Sequence, residues 1–150
     1  MSDNGDAPEH QTSNGEAVAT ASLLLACVVD DVCFGARDAA YPTLLRARFE
    51  VEARPAQEVV VRVATLALFH AARPARLEVA ALGADGDLLA HAASTLPAGS
   101  AGSQQVNVTD LAVVFDAPGS YRLGVALDGR AAYFPLDVRM PVHAPQEAAP

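Results

Sequence analysis

The sequence predicts an all-β protein, an antiparallel β-sandwich with a disordered tail at each end. Three observations predict it. Apolar and polar residues alternate along several stretches, short turn sequences separate those stretches, and hydrophobic residues make up 51% of the chain. Alternation places successive side chains on opposite faces of a strand, so that one face can be buried. We expect one sandwich domain over residues 17–140, since 150 residues suit a single compact core.

The two ends of the chain have the composition of disordered segments. Residues 1–16 are rich in Gly, Asn, Ser and carboxylates and contain no Lys or Arg. Residues 141–150, PVHAPQEAAP, have no apolar periodicity. Segments with so little to bury stay unfolded, so we expect flexible tails over both ranges.

An apolar run, Ala17–Val29, precedes the alternating stretches. It is too short to span a bilayer. Leu24–Cys27 has the pattern of a lipoprotein processing site, but no Lys or Arg precedes it, and a secretory signal requires that positive charge. The run predicts a buried strand in a soluble, cytoplasmic protein. An exported or lipid-anchored sandwich is the alternative.

Alternation is clearest over Thr43–Arg54, which predicts a strand with one buried, dry face and one solvent-exposed, wet face. The dry face would hold Leu45, Ala47, Phe49, Val51 and Ala53. The wet face would hold Arg46, Arg48, Glu50, Glu52 and Arg54. A face of mixed sign is typical of a solvated strand. We single out Arg46, Arg48, Glu50 and Glu52 as the residues that would face a partner.

The middle of the chain predicts further strands. Glu58–His70 is rich in valine and threonine, which favours a strand, bent midway, over a helix. Asp85-Gly86 lies between two apolar stretches and predicts a hairpin turn, because glycine tolerates the positive φ that such a turn demands. A loop of small residues, 97–103, leads to another alternating stretch from Gln104.

The last part of the domain predicts a second hairpin. Pro118-Gly119 is expected to form a type II turn, with proline fixing φ and glycine in the left-handed position. Tyr121–Leu127 then alternates, and Asp128-Gly129 predicts another turn. The spacing of Asp116, Gly119 and Tyr121 is that of a tyrosine corner, in which the phenol bonds to backbone just upstream. An ordinary core tyrosine is the other interpretation.

The order of these elements resembles a family of small bacterial domains of unknown function that are immunoglobulin-like β-sandwiches. The resemblance covers residues 22–139. It rests on these stretches: Val28-Val29-Asp30-Asp31, Tyr41-Pro42, Arg76-Leu77-Glu78-Val79, Phe115–Arg122 and Pro135-Leu136-Asp137-Val138. The resemblance implies an immunoglobulin-like fold and no catalytic residues. The chain departs from the family in lacking the usual first strand and in carrying an acidic tail instead.

The chemistry-bearing residues form no recognisable motif. Cys27 and Cys33 are too close in sequence for a disulfide that spans a sandwich. Free thiols in a reducing cytosol are the simpler interpretation, although a local bridge is geometrically possible. The four histidines lack metal-ligand spacing, and no phosphate-binding loop is present. We therefore expect no metal and no cofactor.

The net charge of −8 argues against binding to nucleic acid or to an anionic membrane. The chain has no lysine, so all its basic residues are arginine, which suggests a bacterium with GC-rich coding.

The sequence thus predicts a non-catalytic interaction module that binds a protein partner or a second copy of itself. The candidate edges are Thr43–Arg54 and Ala131–Val138, although Arg46, Arg48 and Pro135 oppose edge pairing. The alternative is a small thiol-dependent hydrolase around Cys33, with Asp31 and His70.

Overall fold

The computed structural model describes residues 19–35, 38–45 and 48–142, with the stretch from 31 to 45 described by its backbone alone. These residues form strands and no helix. The strands are β1 (Ala21–Val28), β2 (Asp31–Gly35), β3 (Asp38–Leu45), β4 (Glu50–Glu52), β5 (Glu58–Phe69), β6 (Ala75–Leu82), β7 (Leu88–Leu96), β8 (Gln104–Val114), β9 (Gly119–Leu127) and β10 (Arg130–Arg139).

The strands form two main sheets that pack face to face. One sheet has three strands in the order β1-β5-β8, and the other has five in the order β4-β10-β9-β6-β7. Strands β2 and β3 form a separate pair. Neighbours are antiparallel except for β4 and β10, which are parallel. The predicted immunoglobulin-like β-sandwich is confirmed, while the predicted tails, 1–16 and 141–150, fall outside the described residues except for Pro141 and Val142.

The core lies between the two sheets and is built from the inward residues of the alternating strands. Its largest fully buried side chains come from both sheets: Phe69, Leu77, Leu96, Leu111, Phe115, Leu123, Leu127 and Leu136. Of the residues predicted to face inward on β9, Leu123, Val125 and Leu127 are buried and Tyr121 is half-buried. Of the described polar side chains, only that of Thr65 is buried, and its hydroxyl donates to the Asn107 carbonyl.

Strand β5 is the middle strand of the three-stranded sheet. It pairs with β8 without a register shift from Glu58 opposite Val114 to Leu68 opposite Gln104. The strand prediction is confirmed, and the expected bend at its midpoint is absent from this pairing. Val60 is nevertheless 58% exposed, because it alternates with the buried Val61 and Val63 and so lies on the outer face of the sheet.

The prediction of one strand over Thr43–Arg54 is wrong. β3 ends at Leu45 and pairs with Asp31 of β2, whereas Val51 of β4 pairs with Val138 of β10. The chain moves from one sheet to another between these points, so a single strand cannot cover both. In the second half the alternation holds, since Val51 and Ala53 are buried.

The expectation that the family's usual first strand is missing stays a prediction. Strand β1 pairs with β5, and β4 pairs with β10 in the other sheet. The β2–β3 hairpin lies between β1 and β4 in sequence. Strand β1 is less buried than predicted, with Leu24 at 48% and Leu25 at 42% exposure, because it lies at a sheet edge and its register shifts between Leu23 and Leu25.

Both predicted Asp-Gly turns are present. Gly86 has φ of 86°, and its amide donates to the Gly83 carbonyl at 3.0 Å, as in a three-residue hairpin loop. Asp128 and Gly129 have φ of 49° and 81° and join β9 directly to β10. Two positive φ angles in a two-residue loop match the right-handed twist of the strands it joins.

The type II turn predicted at Pro118-Gly119 is wrong. Gly119 has φ of 145°, away from the value near +80° that a type II turn requires. It is already the first residue of β9 and pairs with Val138. The chain therefore bends over residues 116–118 and enters β9 through a backbone conformation that favours glycine.

Candidate functional site

The most distinctive feature of the sandwich lies where β1 ends. Val28 exchanges backbone hydrogen bonds with Arg48 at 3.0 and 2.8 Å, and the Val29 amide donates to the Arg62 carbonyl at 2.9 Å. The end of β1 is thus held between the segment leading to β4 and strand β5. After Asp30 the chain departs into β2. A space between β4 and β5 lies in line with β1 beyond Val29. We call this space the flank slot.

The β4 side of the flank slot is an unpaired strand edge. Asp137 donates to the Phe49 carbonyl at 2.8 Å, and Ala53 donates to the Arg139 carbonyl at 2.9 Å, so these backbone groups face β10. Because alternate residues of a strand direct their backbone groups to opposite sides, those of Glu50 and Glu52 face the slot. Among the described residues, no strand pairs with them there.

The β5 side is a second unpaired edge. The Arg62 carbonyl faces β1, so the backbone groups of Val60 and Glu58 face the same flank by the same alternation. The pairing of β1 with β5 ends at Val28 opposite Val63. Within the described part of the chain, the amides and carbonyls of Val60 and Glu58 have no partner on this side. Two open edges therefore face each other across the slot.

The slot is a real concavity. A cleft of about 320 Å³ at its β1 end is lined by Val28–Asp30, Arg48, Glu50–Glu52 and Val59–Arg62. A second cleft of about 370 Å³ is lined by Glu52–Arg54, Gln57–Val59 and Pro141, and it shares Glu52 and Val59 with the first. The turn between β4 and β5, closed by the Gln57 amide on the Arg54 carbonyl at 3.2 Å, ends the slot. The end of β1 bounds the space on one side and the turn closes it on the other.

Ion pairs neutralise the charges around the β1 end of the slot. Arg48 binds Asp30 at 2.8 Å, and Arg139 binds Glu50. The Arg62 guanidinium donates two hydrogen bonds, of 2.8 and 3.1 Å, to the carboxylate of Asp110 on β8. These two bonds hold the pKa of the Asp110 carboxyl below its ordinary value against a smaller opposing effect of burial.

The carboxylates nearer the turn, unlike those at the β1 end, are not neutralised by ion pairs among the described residues. Glu52 and Glu58 are exposed, and neither has an ion pair among the described residues. Arg54 is the one cation lining this part of the slot. The unpaired charge of the closed end is therefore negative.

Three of the four residues predicted to face a partner line the slot. Arg48 and Glu50 are engaged in ion pairs, Glu52 is not, and Arg46 lies outside the described residues. Sequence reasoning missed Val60 and Glu58, because an apolar run read as a buried strand gives no sign that one end lacks a neighbour. The second candidate edge, Ala131–Val138, is covered by β4 only at its end, where Asp137–Arg139 pair with it.

The residues of the hydrolase hypothesis are only partly described. Asp31 and Cys33 lie in β2, and their side chains fall outside the described residues. His70 follows β5, and its Nε2 lies 2.7 Å from the Ser22 hydroxyl. A serine–histidine pair needs a third group to orient the imidazole, and none of the described carboxylates is paired with His70.

Cys27 is a free, buried thiol, so it forms no bridge with Cys33. It packs with Val29 and Ala64 in a small cluster apart from the main core. Burial raises the pKa of this thiol, which opposes formation of the reactive thiolate.

The described residues hold no group of three or more histidine, cysteine, aspartate or glutamate side chains arranged to bind a metal. They also contain no helix of the length and apolar character needed to cross a membrane.

No family model and no curated protein matches the chain, so the resemblance to a bacterial domain family stays a prediction. Among solved structures, a β-glucuronidase from glycoside hydrolase family 2 matches 57% of the chain with a TM-score of 0.50 and 16% identity. The match covers 10% of the β-glucuronidase.

Two further solved structures match less well. The Pseudomonas fluorescens alkylpurine DNA glycosylase AlkC, bound to DNA containing an abasic site analog, matches 81% of this chain over 31% of its own, with a TM-score of 0.48 and 14% identity. The CARDB domain of a Pyrococcus furiosus protein, in complex with di-metal ions, also matches. That match covers 62% of this chain and 86% of the CARDB domain, with a TM-score of 0.41 and 14% identity. The chain thus spans a small part of the first two proteins, and likeness at this level of identity shows a fold and no activity.

Proposed function

We propose that this domain is a non-catalytic binding module that takes a short extended segment of a protein partner into the flank slot by strand addition. One observation carries the proposal: Val28–Val29 bonds to Arg48 on one side and to Arg62 on the other, and within the described residues both flanking edges continue unpaired beyond that point. A segment placed in line with β1 would meet donors and acceptors on both sides. This mode of recognition obtains its affinity from backbone hydrogen bonds.

The slot sets the length of the segment. Strand β4 has three residues, and an extended chain rises about 3.3 Å per residue, so about three residues of the partner would fit between β1 and the turn. The turn at Arg54–Gln57 blocks a longer strand. A chain end or a tight loop suits such a closed space better than a continuous strand does.

The charge of the slot indicates the chemistry of the segment. Glu52 and Glu58 are the unpaired carboxylates at its closed end, and the whole chain carries a net charge of −8. Negative potential of this kind attracts a basic segment and speeds its association. The expected ligand is a short, extended stretch that carries Arg, Lys or a free amino terminus.

The test uses fluorescein-labelled hexapeptides with a free amino terminus, one alternating Val and Arg and a matched one alternating Val and Glu. Binding to the full chain is followed by fluorescence anisotropy. We expect the basic peptide to bind and the acidic peptide to bind at least tenfold more weakly. Equal affinity for both peptides, or no binding of either, would overturn the proposal.

The decisive variant is Val60→Pro, because the Val60 amide faces the slot and proline there removes no bond to β8. Peptide affinity should fall at least tenfold. Ala131→Pro is the matched control, since the alternation set by Asp137 places the Ala131 amide on the outer flank of β10. It should leave peptide binding unchanged. In amide exchange of the wild type, Val60 and Glu58 should become protected when peptide is added.

A further inference from the structure

The inner wall of the flank slot is apolar and continuous with the main core. On β5, Val59 and Val61 alternate with Val60, so their side chains point between the two sheets. Val61 is fully buried, whereas Val59 is only half-buried, although it packs against the core. Its partner on β8, Val113, is also fully buried, so β8 covers Val59 on that side. The exposed part of Val59 therefore faces the slot, where it lines both clefts.

The β4 wall of the slot supplies the apolar residues on the other side. Val51 and Ala53 are buried members of the main core. Val51 lines the cleft at the β1 end together with Val59, and Ala53 lines the cleft at the turn together with Val59. Alanine has a single methyl group, so this wall fills less of the space near Val59 than a larger residue would. The space between Ala53 and Val59 is therefore small, apolar and accessible from the slot.

Strand β1 shows which way the side chains of an added strand would point. Val28, its last residue, belongs to the main core, whereas Val29 belongs to the small cluster apart from it. Successive side chains therefore alternate between the core and the outside. Val28 lies opposite Val63 of β5. When the same register continues beyond Asp30, the middle residue of a segment of about three residues lies opposite Val59, and its side chain faces the core.

The middle residue and Val59 would approach each other closely. The Arg62 carbonyl faces β1, so by alternation the backbone groups of Val59 face β8. Val59 and the middle residue of an antiparallel segment thus form a non-hydrogen-bonded pair, the kind in which facing side chains lie nearest to each other. The residues on either side of the middle one point outwards, where Glu52 and Glu58 are exposed. An added strand would therefore present one side chain to the core and its two neighbours to the carboxylates.

We propose that the flank slot selects its ligand by this middle residue, which enters the space between Ala53 and Val59 and is a short, β-branched apolar residue such as valine. The inference rests on the function proposed for the slot and adds a rule of specificity to it. Backbone hydrogen bonds accept any extended segment, whereas a pocket for one alternate side chain discriminates between segments. A hydroxyl in this position would lie among apolar side chains without a partner, and burial of such a group is unfavourable. β-Branched residues also favour the extended conformation.

The test compares three fluorescein-labelled hexapeptides with a free amino terminus, in which Arg alternates with Val, with Thr or with Ala. Fluorescence anisotropy with the full chain measures their affinities. We expect the Val peptide to bind about tenfold more tightly than either of the others, because Thr adds a hydroxyl at equal shape and Ala removes apolar surface. Equal affinity of the Val and Thr peptides would overturn this inference and leave strand addition standing. Failure of all three peptides to bind would overturn the proposed function as well.

A protein variant locates the pocket. Ala53→Val adds two methyl groups to the β4 wall, so the preference for the Val peptide over the Ala peptide should fall from about tenfold to none. Ala131→Val is the matched control, because Ala131 is exposed on β10 away from the slot, and it should keep the wild-type preference. Circular dichroism establishes that both variants fold, and the peptide comparison on the wild type needs neither of them. A preference that Ala53→Val leaves unchanged would overturn the inference.

Discussion

The Tyr121 hydroxyl donates a hydrogen bond of 2.7 Å to the Ala117 carbonyl, four residues upstream. The ring of the same tyrosine meets Phe115 edge-on, with centroids 4.9 Å apart. This arrangement is a tyrosine corner, the first of the two interpretations that the sequence allowed. It fixes the connection from β8 to β9, and therefore from the three-stranded sheet to the five-stranded sheet. The bond takes the place of the turn hydrogen bond expected at Pro118-Gly119.

Replacing Tyr121 with phenylalanine removes the hydroxyl and keeps the ring. We expect a loss of about 1 kcal/mol in the free energy of unfolding, the usual net value of one hydrogen bond. Urea unfolding followed by circular dichroism measures it. Tyr133→Phe is the control, because Tyr133 is 60% exposed and its described contact is the ring under Arg122, which phenylalanine retains. Equal stability of both variants would contradict a structural role for the corner.

The Asp128 side chain has two roles in the last hairpin. The Asp128 backbone has a positive φ of 49°, which a short polar side chain tolerates. The Asp128 Oδ1 accepts a hydrogen bond of 2.8 Å from the Arg76 amide. Asparagine tolerates that φ and offers an equivalent oxygen, whereas alanine does neither. Asp128→Asn should therefore cost less than about 0.5 kcal/mol and Asp128→Ala about 1–2 kcal/mol in the free energy of unfolding. Thermal and urea unfolding distinguish them, and equal losses would mean that neither role matters.

The Arg62–Asp110 pair predicts a dependence of stability on acid. The folded state lowers the pKa of Asp110, so the pair stabilises the fold above the unfolded value, about 3.9, and this contribution disappears as pH falls through the lower folded value. Both side chains are well exposed, so the effect is at most about 1 kcal/mol and weakens with salt. The difference in unfolding free energy between wild type and Asp110→Asn should be largest near neutral pH and should shrink as pH falls through the lowered folded pKa of Asp110. A difference that does not change with pH would contradict this assignment.

The fold was largely predictable because burial follows alternation within a strand. β9 illustrates this, since Leu123, Val125 and Leu127 are buried as the pattern predicts. The break between β3 and β4 was not predictable. Alternation runs unbroken through Thr43–Arg54 while the chain changes from one sheet to another, and a period of two carries no information about which neighbour a strand has.

The candidate site was predictable on one side only. Arg48, Glu50 and Glu52 stood out as a charged face on an alternating stretch, and they line the flank slot. Val60 belongs to an apolar run, and its open backbone edge arises because the pairing of β1 with β5 ends at Val63, three residues away. Such an edge is not visible in the sequence, because an edge is defined by the strand that is absent and local sequence describes only the strand that is present.

Cys27 provides a test of burial at the end of β1. Only 3% of it is exposed, and burial raises the pKa of its thiol, so both access and ionisation oppose its reaction. In a Cys33→Ser variant, where Cys27 is the only thiol, a thiol-specific probe should react slowly with the folded protein and rapidly after urea unfolding. The same shift predicts a pH effect on stability. Because folding raises the pKa of the Cys27 thiol, the neutral thiol's contribution to the free energy of unfolding is complete below the pKa of the unfolded chain, about 8.5. That contribution is lost as pH rises through the higher pKa of the folded state. Fast labelling of folded protein would show that the strand end bounded by Arg48 and Arg62 opens readily, and the flank slot would then have no fixed starting point for an added strand.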